Sequence, residues 1–119
     1  MDIQLTKIAA AIGKYANMTG SFHGRRPGGQ ETHCIMGGLS KDLGLNTEDV
    51  DSVTQSPTVS KAITTAYGLT QQQQCKMQDI NDTYRDTRTR RKALLEQVTD
   101  WATRQQQAKV TQEQHLTLG

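Results

Sequence analysis

An all-α fold, a compact single domain of five to six helices, is what the sequence predicts, on three observations. Apolar residues recur at three- and four-residue steps, and no stretch alternates with the period of two that a half-buried strand requires. Hydrophobic residues make up 34% of the chain and aromatics only 4%, a composition on which small helices pack better than a sheet does. Finally, Leu43-Gly-Leu-Asn-Thr and Tyr67-Gly-Leu-Thr repeat one punctuation: a glycine closing a helix, a leucine contact, then a polar cap for the next element.

The elements come in order along the chain. Leu5, Ile8, Ile12 and Tyr15, with alanines between them, form the apolar stripe of a first helix from about Asp2 to Asn17. Gly20 ends it, and the polar stretch Ser21–Cys34 (SFHGRRPGGQETHC) reads as a mobile surface loop. A second helix starts near Thr32 and runs through Cys34, Ile35, Leu39 and Leu43. Gly37 and Gly38 weaken it by about 1 kcal/mol each relative to alanine, which points to another backbone passing close by. Ser56-Pro57 opens a third helix carrying Val59, Ile63 and Ala66 on one face. Thr70 and Gln73 fit a capping box for a fourth, which Asn81-Asp82 terminates. The last helix begins near Asp86, with Ala93, Leu94, Val98, Trp101 and Ala102 as its stripe. The stripe then fails, so residues 1–102 read as the helical domain and 103–119 as a frayed extension with a mobile polar tail.

At 119 residues the chain suits one domain. Two cysteines, Cys34 and Cys75, are too few for a disulfide framework and read as buried free thiols. The start, MDIQLTKIAAAIG, carries an acid and a lysine where a signal peptide would not, and no apolar run reaches membrane-spanning length. A cytoplasmic protein with no membrane partner is expected. The formal net charge of +2 is too small to imply nucleic-acid binding, but its distribution is polarised. Residues 42–51 are acidic, whereas 85–92 hold four arginines and a lysine against one aspartate.

Candidate chemistry is sparse. His23, His33, Cys34 and Cys75 are of the types zinc uses, but their spacing matches no zinc site, and no metal or other cofactor is expected. An anion site is better supported: Gly28 and Gly29 allow close backbone approach, Arg25 and Arg26 can clamp a phosphate or carboxylate, and amides near His33 open a helix. The stretch is neither a Walker motif nor GxGxxG, and Glu31 competes for the same positive potential. Leu39–Val53 has helix–turn–helix spacing, yet Glu48, Asp49 and Asp51 occupy the would-be recognition helix, so direct DNA binding is disfavoured. Cys34 beside His33 is the sole candidate for an activated nucleophile, and a packed thiol is the simpler reading. No enzymatic activity is expected.

Cys34-Ile-Met-Gly-Gly-Leu39, the later Asn81-Asp82, and a closing helix with Val98 and Trp101 together resemble small uncharacterised phage and bacterial proteins. These have a Cys-x-x-Gly-small-Leu helix and an Asn-Asp turn. The resemblance implies an origin in mobile elements and carries no activity or site residue. The expected function is therefore a binding protein that occupies a surface of a host protein, such as an inhibitor of the anti-CRISPR type. Arg85, Arg88, Arg90, Arg91 and Lys92 would meet an acidic partner, while Glu48, Asp49 and Asp51 would imitate phosphates. Capture of a nucleotide or other anion by the GRRPGG loop is the alternative, and a DNA-binding regulator ranks third. A homo-oligomer is compatible with the thin apolar content.

Overall fold

Five α-helices and one short hairpin make up the described chain, a computed structural model covering residues 1–29, 31–47 and 50–118. In order they are α1 (Leu5–Lys14), β1 (His23–Arg25), β2 (Glu31–His33), α2 (Ile35–Asp42), α3 (Pro57–Tyr67), α4 (Gln71–Thr83) and α5 (Thr87–Leu118). A single 3-10 turn at Val53–Gln55 precedes α3. The architecture is mostly helical, as predicted, but not all-α.

The correction lies in the loop. His23 pairs with His33, Gly24 with Thr32 and Arg25 with Glu31 in an antiparallel ladder around a Pro27-Gly28-Gly29 turn. Gly28 and Gly29 both take positive φ there, at 97° and 88°, and the Gly29 amide donates to the Arg26 carbonyl at 2.9 Å. With Glu31–His33 committed to the strand, α2 begins later than expected, capped by Cys34, whose sulfur accepts from the Gly37 amide at 3.3 Å.

Local signals hold well elsewhere. Gly44 and Gly68 adopt the left-handed conformation, with φ of 69° and 74°. Ser56 caps α3 ahead of Pro57, and Thr70 and Gln73 form both halves of a capping box. The second helix of the helix–turn–helix spacing does not appear among the described residues, where only the 3-10 turn intervenes before α3. Glu48 and Asp49 lie outside the described residues. Asn81-Asp82 does not terminate α4, which runs on to Thr83.

The core gathers Ile8, Ile12 and Tyr15 of α1, Ile35, Met36 and Leu39 of α2, Ile63 of α3, Met77 of α4, and Leu94 and Val98 of α5 around Phe22. Beyond Trp101 the last helix continues to Leu118. The Gln105 side chain accepts from the Ile3 amide at 2.8 Å and donates to the Met1 carbonyl at 2.9 Å, and Lys109 pairs with Asp2. That pairing holds the Asp2 carboxyl below its ordinary range. The chain start thus staples the helix well past its apolar stripe, which the polar sequence does not reveal.

A polar clamp at the α4–α5 junction fixes the segment entering the hairpin. Asn81, fully buried, accepts from the Ile35 amide at 3.0 Å and donates to the Met18 carbonyl at 2.8 Å. Asp82 accepts from the Gly20 amide at 2.9 Å. Arg90 donates to the Ala16 carbonyl at 2.8 Å, and Arg91 to the Tyr15 carbonyl at 3.0 Å. Asn17 completes the clamp from the other side, exchanging bonds of 3.0 Å and 2.7 Å with the backbone of His33. The hairpin therefore stands at a fixed angle to the helices.

Candidate functional site

Between the hairpin, Lys41 of α2 and the Leu45–Thr47 segment lies an open cleft of about 470 Å³. Strand alternation sets its wall. His23 and Arg25 share one face of β1, and their ladder partners His33 and Glu31 share the matching face of β2. One helical turn past Gly37, Lys41 closes the floor toward Glu31.

Two polar systems meet at Glu31. Its carboxylate takes Lys41 Nζ at 2.9 Å and Arg25 Nη2 at 3.4 Å, and the lysine, more than the arginine, holds it below the usual glutamate range. On the inner side, Glu31 Oε2 lies 3.7 Å from His33 Nε2. That separation is too long for a hydrogen bond, so Glu31 does not fix the tautomer of His33. His23 Nδ1 and His33 Nδ1, 2.8 Å apart, share one proton, and His23 Nε2 meets the buried Thr47 hydroxyl. Thr47, His23 and His33 thus form one hydrogen-bonded chain in which the tautomer of one ring sets that of the other. Tyr15 stands edge-on to His33 with ring centroids 5.2 Å apart, sealing the inner end.

Both histidines are held below the ordinary imidazole value of 6.5, chiefly because burial penalises the charged form. The neighbouring imidazole adds to this for His33, and Lys41 for both. A depressed native value means that the unfolded chain takes up protons first as pH falls. The thermal midpoint should therefore be steady above pH 6.5 and decline below it as the two imidazoles are forced to charge. Calorimetry across this range checks the sign, and His33→Asn should flatten the decline. A wild-type midpoint that rises on acidification would contradict this depression of the two imidazoles.

The residues singled out from sequence scatter. Of the five anion candidates, Arg25 and His33 line the cleft. Arg26 turns away, donating to the Asn17 carbonyl at 3.5 Å, while Gly28 and Gly29 form the hairpin turn rather than a cradle. Amides opening α2 are already engaged: Cys34 with the Phe22 carbonyl, Ile35 with Asn81 and Gly37 with the Cys34 sulfur. The thiol of Cys34 is buried and pushed up to about 12 by desolvation, the opposite of an activated nucleophile. Cys75, also a free thiol, is half-buried, and no three His, Cys, Asp or Glu side chains gather as metal ligands among the described residues.

The basic cluster divides. Arg85, Arg88 and Lys92 are exposed. Arg90 is buried, and Arg91 is half-buried against the Tyr15 carbonyl, so neither presents its charge freely to a partner. Asp51 is exposed, whereas its companions in the acidic stretch, Glu48 and Asp49, lie outside the described residues. Sequence reasoning passes over Lys41, Thr47 and the pairing of His23 with His33. A signal for the pairing is present: His-x-Arg and Glu-x-His flank Pro-Gly-Gly, the alternation and turn residues of a short hairpin.

No helix among the described residues is long and apolar enough to cross a membrane. Comparison of the chain with protein-family models, with characterised proteins and with solved structures finds no match.

Proposed function

We propose that the protein is a non-enzymatic binding protein that captures a small anion in the hairpin cleft. One observation carries this reading: a lysine and an arginine converge on a single carboxylate, that of Glu31, beside the edge of the His33 imidazole. A group that is half-exposed on a strand is free to rotate outward, and a ligand carboxylate or phosphate would then inherit its two cationic partners. Glu31 is in this view an internal competitor that keeps Arg25 and Lys41 arranged for an anion. Buried His33, hydrogen-bonded to His23, supplies a fixed polar edge, and the two flexible cations supply charge.

The test rests on the competition. Calorimetric titration with inorganic phosphate, butyrate and a nucleoside monophosphate should detect weak binding by at least one of them. Glu31→Gln should strengthen that binding by roughly five- to tenfold, since it removes both the competitor and a negative charge. Arg25→Ala with Lys41→Ala should abolish it. The reading fails if no anion binds either protein, or if Glu31→Gln weakens the affinity.

A second reading has its own support in the exposed trio Arg85, Arg88 and Lys92, for which no acidic partner lies in ion-pair contact among the described residues. It is the phage-type inhibitor of a host defence protein, docking this end of α5 on an acidic surface. Charge reversal by Arg88→Glu with Lys92→Glu should release a host protein that co-purifies with the wild type while leaving helicity intact. Capture that survives the reversal removes this reading.

A further inference from the structure

Resting on the anion-capture reading, we infer that the anion carries an aliphatic tail. A second groove, of about 600 Å³, runs between the end of α2 and α3. Its walls are Leu43, Leu45, Ala62 and Ala66, with Lys61 and Thr65 at the rim. Leu45 also lines the hairpin cleft, so the two depressions share a wall. One end of the combined surface is built from cations and imidazoles. The other is built from branched aliphatic and methyl groups.

That division of chemistry selects the occupant. Leu43 and Leu45 are packed against the core while remaining partly open, and Ala62 and Ala66 lie one helical turn apart on the facing side of α3. Alanines at that spacing leave a shallow furrow along a helix, shaped for a chain rather than a disc. No aromatic residue lines the groove, so a nucleobase would find no ring to stack on there. These four apolar walls offer a polar ligand no hydrogen bond, the polar lining residues Thr58, Lys61 and Thr65 being exposed at the rim. The occupant is a monoanionic amphiphile: a carboxylate or phosphate head at Arg25 and Lys41, and a saturated tail crossing Leu45 to lie between Leu43 and Ala62.

The test compares two carboxylates that differ only in tail length. Butyrate and octanoate, the latter below its micellar concentration, are titrated calorimetrically into the full chain. Each fully buried methylene contributes about fourfold to affinity, so burying two to three of the extra four predicts that octanoate binds about thirtyfold more tightly. Ala62→Trp fills the furrow and should reduce octanoate to the affinity of butyrate while leaving butyrate unchanged. Should that variant fail to fold, Thr65→Trp obstructs the same groove from an exposed position. Arg25→Ala with Lys41→Ala should abolish binding of both acids. Equal affinities for the two would overturn the tail while leaving anion capture standing. Octanoate binding indifferent to the loss of Arg25 and Lys41 would overturn the linkage of head and tail. Binding of neither acid, with phosphate still bound, would also overturn the inference, whereas silence toward every anion would remove the reading on which it rests.

Discussion

Replacing Arg90 by methionine should destabilise the protein by about 3–5 kcal/mol, the largest loss expected of any single side chain on α5. Arg90 is 2% exposed and, among the described residues, has no carboxylate in hydrogen-bond or ion-pair contact, Asp82 and Asp86 acting on it only from farther off. Its Nε donates to the carbonyls of Asn81 and Tyr84, both at 2.9 Å, Nη1 to that of Ala16 at 2.8 Å, and Nη2 to that of Arg85 at 3.0 Å. Asn81 and Tyr84 lie in the last turn and at the cap of α4, where carbonyls lack helical partners and the helix dipole is negative. Buried charge is thus solvated by backbone dipoles from three segments at once. Methionine fits the stem and leaves those carbonyls without donors, each costing about 1–3 kcal/mol where water cannot reach it. Lysine would retain charge but not the planar fork, and should recover only part of the loss. Denaturant unfolding measures both. If Arg90→Met costs less than about 1 kcal/mol, water replaces the guanidinium and the clamp contributes little.

The same residue shows what could be read in advance. Treating 85–92 as one basic surface overlooks the period of the helix: Arg90 stands four residues before Leu94 and eight before Val98, squarely on the apolar stripe of α5. Arg88 and Lys92 fall on another face and are exposed. Helical periodicity is sufficient to separate them. The caps and left-handed glycines are legible for the same reason, because each depends on four or five consecutive residues. The hairpin is half legible: its turn residues are visible, while three-residue strands carry only a single step of alternation on each side. Partners distant along the chain are beyond the reach of local pattern. Asn81 meets Ile35 across 46 residues and Gln105 meets Ile3 across 102, and neither asparagine nor glutamine advertises a buried role. The cleft has this same character. Lys41 and Thr47 join it only because α2 docks against the hairpin.

That docking depends on Gly37, and here propensity and packing predict opposite signs for one substitution. In an isolated helix Gly37→Ala would stabilise by about 1 kcal/mol. In this fold an alanine Cβ would lie 2.6 Å from the Phe22 carbonyl carbon and 2.9 Å from its Cα, nearer than real Cβ atoms come. The obstacle is backbone, which cannot rotate aside, and its oxygen accepts the Cys34 amide that opens α2. Relief requires α2 to lift from the hairpin, breaking that bond and opening the core around fully buried Ile35, Met36 and Leu39. The expected result is a loss of at least about 3 kcal/mol, as for other overpacked cores, or no folded protein at all. Gly13→Ala supplies the contrast. Gly13 lies in α1, where an added methyl carbon would have nothing within 4 Å, so the same change should stabilise there by about 0.5–1 kcal/mol. Thermal unfolding of the two variants beside the wild type would expose the difference as shifts of opposite direction. Stabilisation by both would mean that α2 does not approach Phe22 so closely. Lys41, one turn beyond Gly37, would then have no fixed position from which to reach Glu31.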